Sequence, residues 1–176
     1  MKKQIFIFLF IFFILILIVF FYLLIIERNP TKLPSNLLNK NVPNFEANSL
    51  IKKEKFVSSE EFGNGIVLVN FFATWCKPCL DEHNYIKRFS NEKKIRIIGI
   101  NYKDNKKSAI NWLNKLGNPY SNIPIDKDGR IAIEWGVYGI PETFVINSNG
   151  IIKYKHIGPI TEKVYKKINL LIKKIE

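Results

Sequence analysis

The chain carries two cysteines, Cys76 and Cys79, separated by Lys77 and Pro78 and preceded by Trp75. Sulfurs this close cannot brace a fold by closing a long loop, and a disulfide-stapled mini-protein would scatter more cysteines along its length. Reversible dithiol chemistry is the better reading. The pair follows a continuous β-rich run, Ile66 to Phe72, and opens a segment with helical spacing. A helix N-terminus presents unpaired N–H groups and a partial positive charge, which favour thiolate over thiol. Cys76 is therefore expected at the helix mouth with a lowered pKa, attacking disulfides as the nucleophile. Cys79, one turn in and shielded, resolves the mixed disulfide. Pro78 suits a first helical turn, where its missing N–H costs nothing. Lys77 either adds local positive charge or is bystander surface.

Other uses of a Cys-x-x-Cys pair are weaker. Covalent haem attachment needs a histidine after the second cysteine, and Leu80 stands there. A structural zinc site needs four ligands, and there is no second cysteine pair. Copper could use Cys76, Cys79 and His83, four residues after Cys79 on one helical face. A copper-binding assembly chaperone is thus an alternative reading, against His83 as a polar helix residue packed near the site. His156 reads as structural. Dithiol exchange itself calls for no cofactor and no metal.

Positioning such a pair requires alternating strands and helices. Ile66–Phe72 reads as a strand buried on both faces. From Cys79 to Phe89 the apolar residues Leu80, Ile86 and Phe89 fall at helical spacing. Ile95 to Ile100 is a second buried strand. Residues 105–116 set Ala109, Trp112, Leu113 and Leu116 on one helical face, with Gly117 as C-cap. A short helix is expected over 128–135. Strands over 143–147 and 151–157 are joined by the turn Ser148-Asn149-Gly150. A closing amphipathic helix spans 161–175, with Thr161 as N-cap. Strand–helix–strand–helix followed by a hairpin and a final helix predicts an α/β fold. Its mixed sheet is flanked by helices in a thioredoxin-like architecture.

The first 26 residues differ in kind. Behind Lys2 and Lys3, the stretch Gln4 to Ile26 is uncharged and almost wholly Ile, Leu, Phe and Val. At ~1.5 Å per residue it reaches ~34 Å, against a ~30 Å hydrocarbon layer. A cleaved signal peptide would have a shorter apolar core ending in small residues. No Ala, Gly or Ser precedes Ser35, so an uncleaved transmembrane signal anchor over 1–26 is expected. Charge counting alone does not orient it, since Arg28, Lys32 and Lys40 lie beyond it. A short N-terminal tail normally stays inside, which makes the protein a single-pass inner-membrane one with its catalytic domain in the periplasm. Residues 27–42, with two prolines and several turn formers, read as a linker. The domain proper is 43–176. The net charge of +12 comes from lysines spread over the whole chain, which points to a solvated basic surface, not to nucleic acid.

The segment VNFFATWCKPCLDEH, with GNPY, DGRIAIEWGVYGIPETFVIN and KHIGPIT downstream, resembles the CcmG/DsbE thiol:disulfide interchange proteins of cytochrome c maturation. The resemblance covers roughly residues 43–175. It implies that Pro141 is the cis-proline facing the cysteines, beside which Ile140 offers backbone groups to an extended substrate. It places Trp75, Pro78, Ile140, Pro141 and Glu142 along a substrate groove, with Trp75, Trp135 and Tyr138 around the site. Trp135 also reads as plain core. Glu82 and Glu142 match acidic positions kept near the family's active site. Ile140 is bulkier than the Ala or Val usual there, which narrows the groove.

Asn70 stands six residues before Cys76, where general thioredoxins carry a buried aspartate that relays protons. Asparagine cannot titrate. Glu82, three residues after Cys79, is then the candidate relay, against the alternative of an ordinary surface carboxylate. The resemblance further implies a reductant. Its substrates would be the CxxCH disulfide of apocytochrome c or a partner maturation thiol protein, and a transmembrane electron donor of the CcdA or DsbD type would recharge it. A general extracytoplasmic thiol reductase shares every one of these sequence features.

Overall fold

The computed structural model describes residues 2–25, 37–52, 55–63, 65–91 and 95–175. The chain divides into two units, Met1–Leu33 and Pro34–Glu176. In the first, α1 (Lys2–Ile25) is one unbroken helix. Within it, Lys3–Leu23 is long and apolar enough to cross a membrane. The expected linker falls partly at 27–36, which with Ile26 at the end of the expected anchor lies outside the described residues. Its last part, 37–42, belongs to the second unit. Asn39 N–H donates to Ile152 O, and Val42 N–H to Gly150 O.

The second unit begins with a hairpin of β1 (Glu46–Asn48) and β2 (Lys55–Val57), followed by the single turn α2 (Ser58–Glu61). Then come β3 (Ile66–Phe72), α3 (Lys77–Ser90), β4 (Ile95–Tyr102), α4 (Lys106–Leu116), β5 (Ile125–Asp126) and α5 (Arg130–Glu134). The hairpin β6 (Glu142–Ile146) and β7 (Ile152–Ile157), and the helix α6 (Glu162–Ile175), close the chain. The main sheet has the order β5-β4-β3-β6-β7. β3, β4 and β5 run parallel, while β6 is antiparallel to both β3 and β7. This is the expected mixed sheet with one short edge strand, β5, added, while the β1–β2 hairpin forms a separate two-stranded sheet.

β3 is central and every residue in it is buried, which is why it reads as an apolar run broken only by Asn70. Its pleat sorts side chains between two cores. Leu68 and Phe72 join Ile86 and Phe89 of α3, Leu113 of α4, and Ile168 and Ile172 of α6. Val67, Val69 and Phe71 join Phe56, Phe62, Ile131 and Trp135 on the other side. Asn70 shares the pleat of Leu68 and Phe72, so this lone polar residue of the strand is delivered to the α3 side.

Helix limits follow local chemistry. Asn105 caps α4, its Oδ1 accepting the N–H groups of Lys107 and Ser108. Gly117 ends that helix at φ +89°, a region open to glycine but costly for other residues. On α3 the burial pattern departs from the apolar spacing. Leu80 is exposed, whereas Glu82 and His83 face inward with Cys79, Ile86 and Phe89. The helix starts at Lys77, so its inner stripe is Cys79, Glu82, His83, Ile86 and Phe89. Leu80 falls off it.

Candidate active site

Cys76 is the N-cap of α3, in extended conformation, and its sulfur accepts the N–H of Cys79 at 3.1 Å. The two cysteines form a disulfide, so the structure is of the oxidised state. Pro78 lies in the first helical turn, as expected. Cys76 and Cys79 are 5% and 2% exposed, so the sulfur pair is almost closed to solvent. Lys77 points outward and pairs with Asp81 at 3.0 Å.

The loop that carries the cysteines is held from the β4–α4 side. The Asp104 carboxylate accepts Thr74 N–H and Thr74 Oγ1–H, both at 2.7 Å. It also accepts Asn101 Nδ2 at 3.0 Å and Asn105 N–H at 2.8 Å. The Trp75 indole donates to Lys103 O at 3.1 Å while its ring stays 60% exposed. No motif marked Asp104 in the sequence.

Opposite the cysteines, the Ile140–Pro141 peptide bond is cis. Ile140 O lies 3.7 Å from Cys76 Sγ. Glu142 begins β6, in register with Phe71 of β3, and is completely buried. Its Oε1 accepts the N–H groups of Tyr138 at 2.9 Å and Gly139 at 3.4 Å. Tyr138 is exposed. Trp135, by contrast, is fully buried against Phe45, Phe62, Phe71 and Phe144, so it is a core residue and not a wall of the site.

Beneath α3 runs a connected polar network. Glu82 is only 1% exposed, so it is not a surface carboxylate. Asn70 Nδ2 donates to Glu82 Oε1 at 2.8 Å and to Thr143 Oγ1 at 3.1 Å. The Tyr120 hydroxyl donates to Asn70 Oδ1 at 2.9 Å, and Ile160 N–H donates to Glu82 Oε2 at 2.8 Å. Burial lifts the Glu82 carboxyl from an ordinary 4.5 to about 7, against the downward pull of the Ile160 and Asn70 hydrogen bonds. Burial, and then the charge of Glu82, push the Tyr120 hydroxyl well up. Tyr120 stacks on Phe72 at 4.8 Å. It fits there because Gly99 has no side chain, since a Cβ would sit 2.7 Å from the tyrosine ring. The GNPY segment was the sequence signal for Tyr120, although its partner was not readable. Thr143 carried no signal beyond its strand.

His83 is buried edge-on to Trp112, 4.4 Å between ring centroids, with Nε2 3.0 Å from Gly117 O. Burial holds its pKa below the usual value. Among the described residues, no three His, Cys, Asp or Glu side chains gather to hold a metal ion. His156 Nε2 lies 3.2 Å from Pro159 O, tying strand end to loop.

These features can be set beside known proteins. The Redoxin family pattern matches residues 37–169. The chain is 46% identical over 139 residues to the thiol:disulfide interchange protein DsbE of Tatumella citrea, covering 78% of this chain and 75% of that one. It is 44% identical over 138 residues to the DsbE of Escherichia coli K12, covering 78% and 74%. The thioredoxin domain of a thiol-disulfide oxidoreductase from Bacteroides vulgatus superposes with a TM-score of 0.66 at 18% identity, covering 80% of this chain and 99% of that chain, which supports the fold. A disulfide-forming Cys76–Cys79 pair at a helix mouth, on this fold and with these relatives, makes the chain a thiol:disulfide oxidoreductase belonging to the Redoxin family, among the DsbE interchange proteins.

Proposed function

We propose that this oxidoreductase is a membrane-anchored reductant of cytochrome c maturation, acting on the periplasmic side through Cys76 and Cys79. The observation that carries the direction of electron flow is Glu82, a buried carboxyl one helical turn beyond Cys79. An ionised carboxylate there raises the cost of a neighbouring thiolate, so the dithiol form yields its electrons readily. The N-terminal helix supports anchoring, and the GVYGIPETF segment supports the cytochrome c assignment by resemblance.

In the forward reaction the Cys76 thiolate attacks one sulfur of the CxxCH disulfide of apocytochrome c, or of a partner maturation thiol protein. A mixed disulfide forms and the substrate's other sulfur leaves as thiolate. Cys79 then loses its proton, with Glu82 as relay at a pKa suited to neutral pH. Its sulfur attacks Cys76 Sγ, closing the 76–79 disulfide and expelling the second substrate thiolate, and both substrate thiolates take up protons. The substrate gains two electrons and this protein loses two. Recharging therefore needs a dithiol donor across the membrane, of the CcdA or DsbD type. Trp75, Pro78, Ile140 and Pro141 define the groove, and fully buried Glu142 acts behind it by holding the Tyr138 and Gly139 amides. Exposed Trp75 and Tyr138 flank it, and Ile140 offers its carbonyl beside Cys76.

The test is Cys79→Ser in the full chain, which stalls the reaction at the mixed disulfide on Cys76. Trapped polypeptides are expected to carry CxxCH segments or to be maturation thiol proteins, and Cys76→Ser is expected to trap nothing. A trapped population of unrelated exported proteins would instead identify a general thiol reductase.

A further inference from the structure

Lys155 lies in β7, away from both cysteines in sequence, yet its side chain keeps only 4% of its exposure. Its Nζ forms an ion pair with Glu142 Oε2 at 2.9 Å and donates to Gly136 O at 2.6 Å. The same ammonium lies 4.6 Å from the Tyr138 ring centroid and 5.4 Å from that of Phe144. The other oxygen of Glu142 takes the N–H groups of Tyr138 and Gly139. Every polar contact named for the pair outside itself thus goes to one short loop, Gly136–Gly139, which leads into Ile140.

A buried ion pair is a poor device for bulk stability, because apolar side chains of similar volume serve a core at least as well. What the pair supplies is definition. A carboxylate fixes two successive amides, an ammonium fixes the carbonyl two residues earlier, and the same cation sits against the Tyr138 ring. We propose that Lys155 is a positioning residue for substrate recognition: with Glu142 it presets the Gly136–Ile140 loop so that Tyr138 and the Ile140 carbonyl meet an extended polypeptide beside Cys76. The inference rests on the reductase reading above for the identity of the substrate. It adds a residue and a specificity element that the groove list lacks.

The test uses the full chain in detergent, reduced and mixed under single-turnover conditions with excess of an extended peptide holding a CxxCH disulfide. Lys155→Met is expected to raise the half-saturating peptide concentration about tenfold while the limiting rate changes less than about threefold. Lys155→Arg, which keeps a cation able to reach Glu142, is expected to stay within about threefold of wild type in both. Amide exchange at Tyr138 and Gly139 should quicken about tenfold in Lys155→Met, with the β3 amides unchanged. Should Lys155→Met strand the Glu142 charge and unfold the chain, Glu142→Gln/Lys155→Met removes both charges and is expected to show the same rise in half-saturation. A fall in limiting rate at unchanged half-saturation overturns the proposal, as does exchange that quickens throughout the sheet or wild-type behaviour of the double variant. A wild-type chain that reduces no such peptide refutes the reductase reading itself, whereas normal wild-type turnover with an indifferent Lys155→Met refutes only this inference.

Discussion

Asn70 and Glu82 are joined by a 2.8 Å hydrogen bond between the centre of β3 and the second turn of α3. The amide donates, so the carboxylate form of Glu82 is matched on that oxygen, and Ile160 N–H matches the other. Burial still outweighs both bonds and lifts the carboxyl to about 7.

Glu82 consequently links stability to pH. Unfolded, it releases its proton near 4.5; folded, near 7. Between these values the folded state binds more protons than the unfolded one, so stability falls as pH rises. The effect amounts to about 3 kcal/mol between full protonation below 4.5 and full ionisation well above 7. Denaturant unfolding of the oxidised chain at pH 5 and pH 8 should reveal it, and Glu82→Gln should flatten the slope. In the proposed relay, the resolving step also shows an inflection near pH 7 that the glutamine variant lacks. An inflection that survives the substitution removes Glu82 from proton transfer.

Asn70→Asp sets a second carboxyl against Glu82 Oε1, where two negative charges cannot both be tolerated at hydrogen-bond distance. The pair is expected to hold one shared proton well into the alkaline range. Stability at pH 8 should drop by about 2 kcal/mol or more while stability at pH 5 changes little. A loss independent of pH would mean that packing, not charge, sets the preference for asparagine.

Gly99→Ala brings a methyl group to 2.7 Å from the Tyr120 ring and 2.9 Å from Phe72. Displacing the stacked pair costs about 1–3 kcal/mol by overpacking and draws the Tyr120 hydroxyl away from Asn70. Tyr120→Phe removes that same hydrogen bond. The two substitutions together should therefore cost less than the sum of their separate effects, measured by thermal or denaturant unfolding. Strict additivity would show that Gly99 does not control the tyrosine.

Asp104→Ala leaves Thr74, Asn101 and Asn105 without their common acceptor. The expected loss is about 2–3 kcal/mol, the range for removing hydrogen bonds to a charged group. Trp75, no longer steadied through the Lys103 carbonyl, should become more accessible to a collisional quencher, while buried Trp135 serves as internal reference. Unchanged quenching would place the bracing of the cysteine loop elsewhere.

The legible parts of the sequence were those where periodicity and chemistry agreed. β3 read as a doubly buried strand because all seven of its residues are buried, and Gly117 marked the end of α4. The strands β1, β2 and β5 were not foreseen. Two or three residues of mixed polarity carry no measurable period, and they are fixed by partners distant in sequence. Ser49, for instance, reaches Asn122 at 2.7 Å. Within the site, the cysteines and Pro78 were legible from their motif, and Pro141 from the family resemblance. Asp104, Thr143 and Lys155 were not, because ordinary polar residues become part of a site only through contacts that the sheet creates. The burial of Glu82 is the plainest case. An apolar count along α3 favours Leu80, yet the orientation of the helix is set by Cys79, Ile86 and Phe89.

The bond between Glu82 and the Ile160 amide spans 78 positions of chain, and Gly158 N–H similarly caps the Pro141 carbonyl. During vectorial synthesis the sulfur pair is therefore made well ahead of the segment that clamps its carboxylate. Until residues 158–160 have docked, a nascent chain holds the dithiol without the backbone donor that steadies its acidic neighbour. The tuned site comes into being only with the last stretch of the fold, so an unfinished chain and a finished one share the same motif but not the same acid–base chemistry.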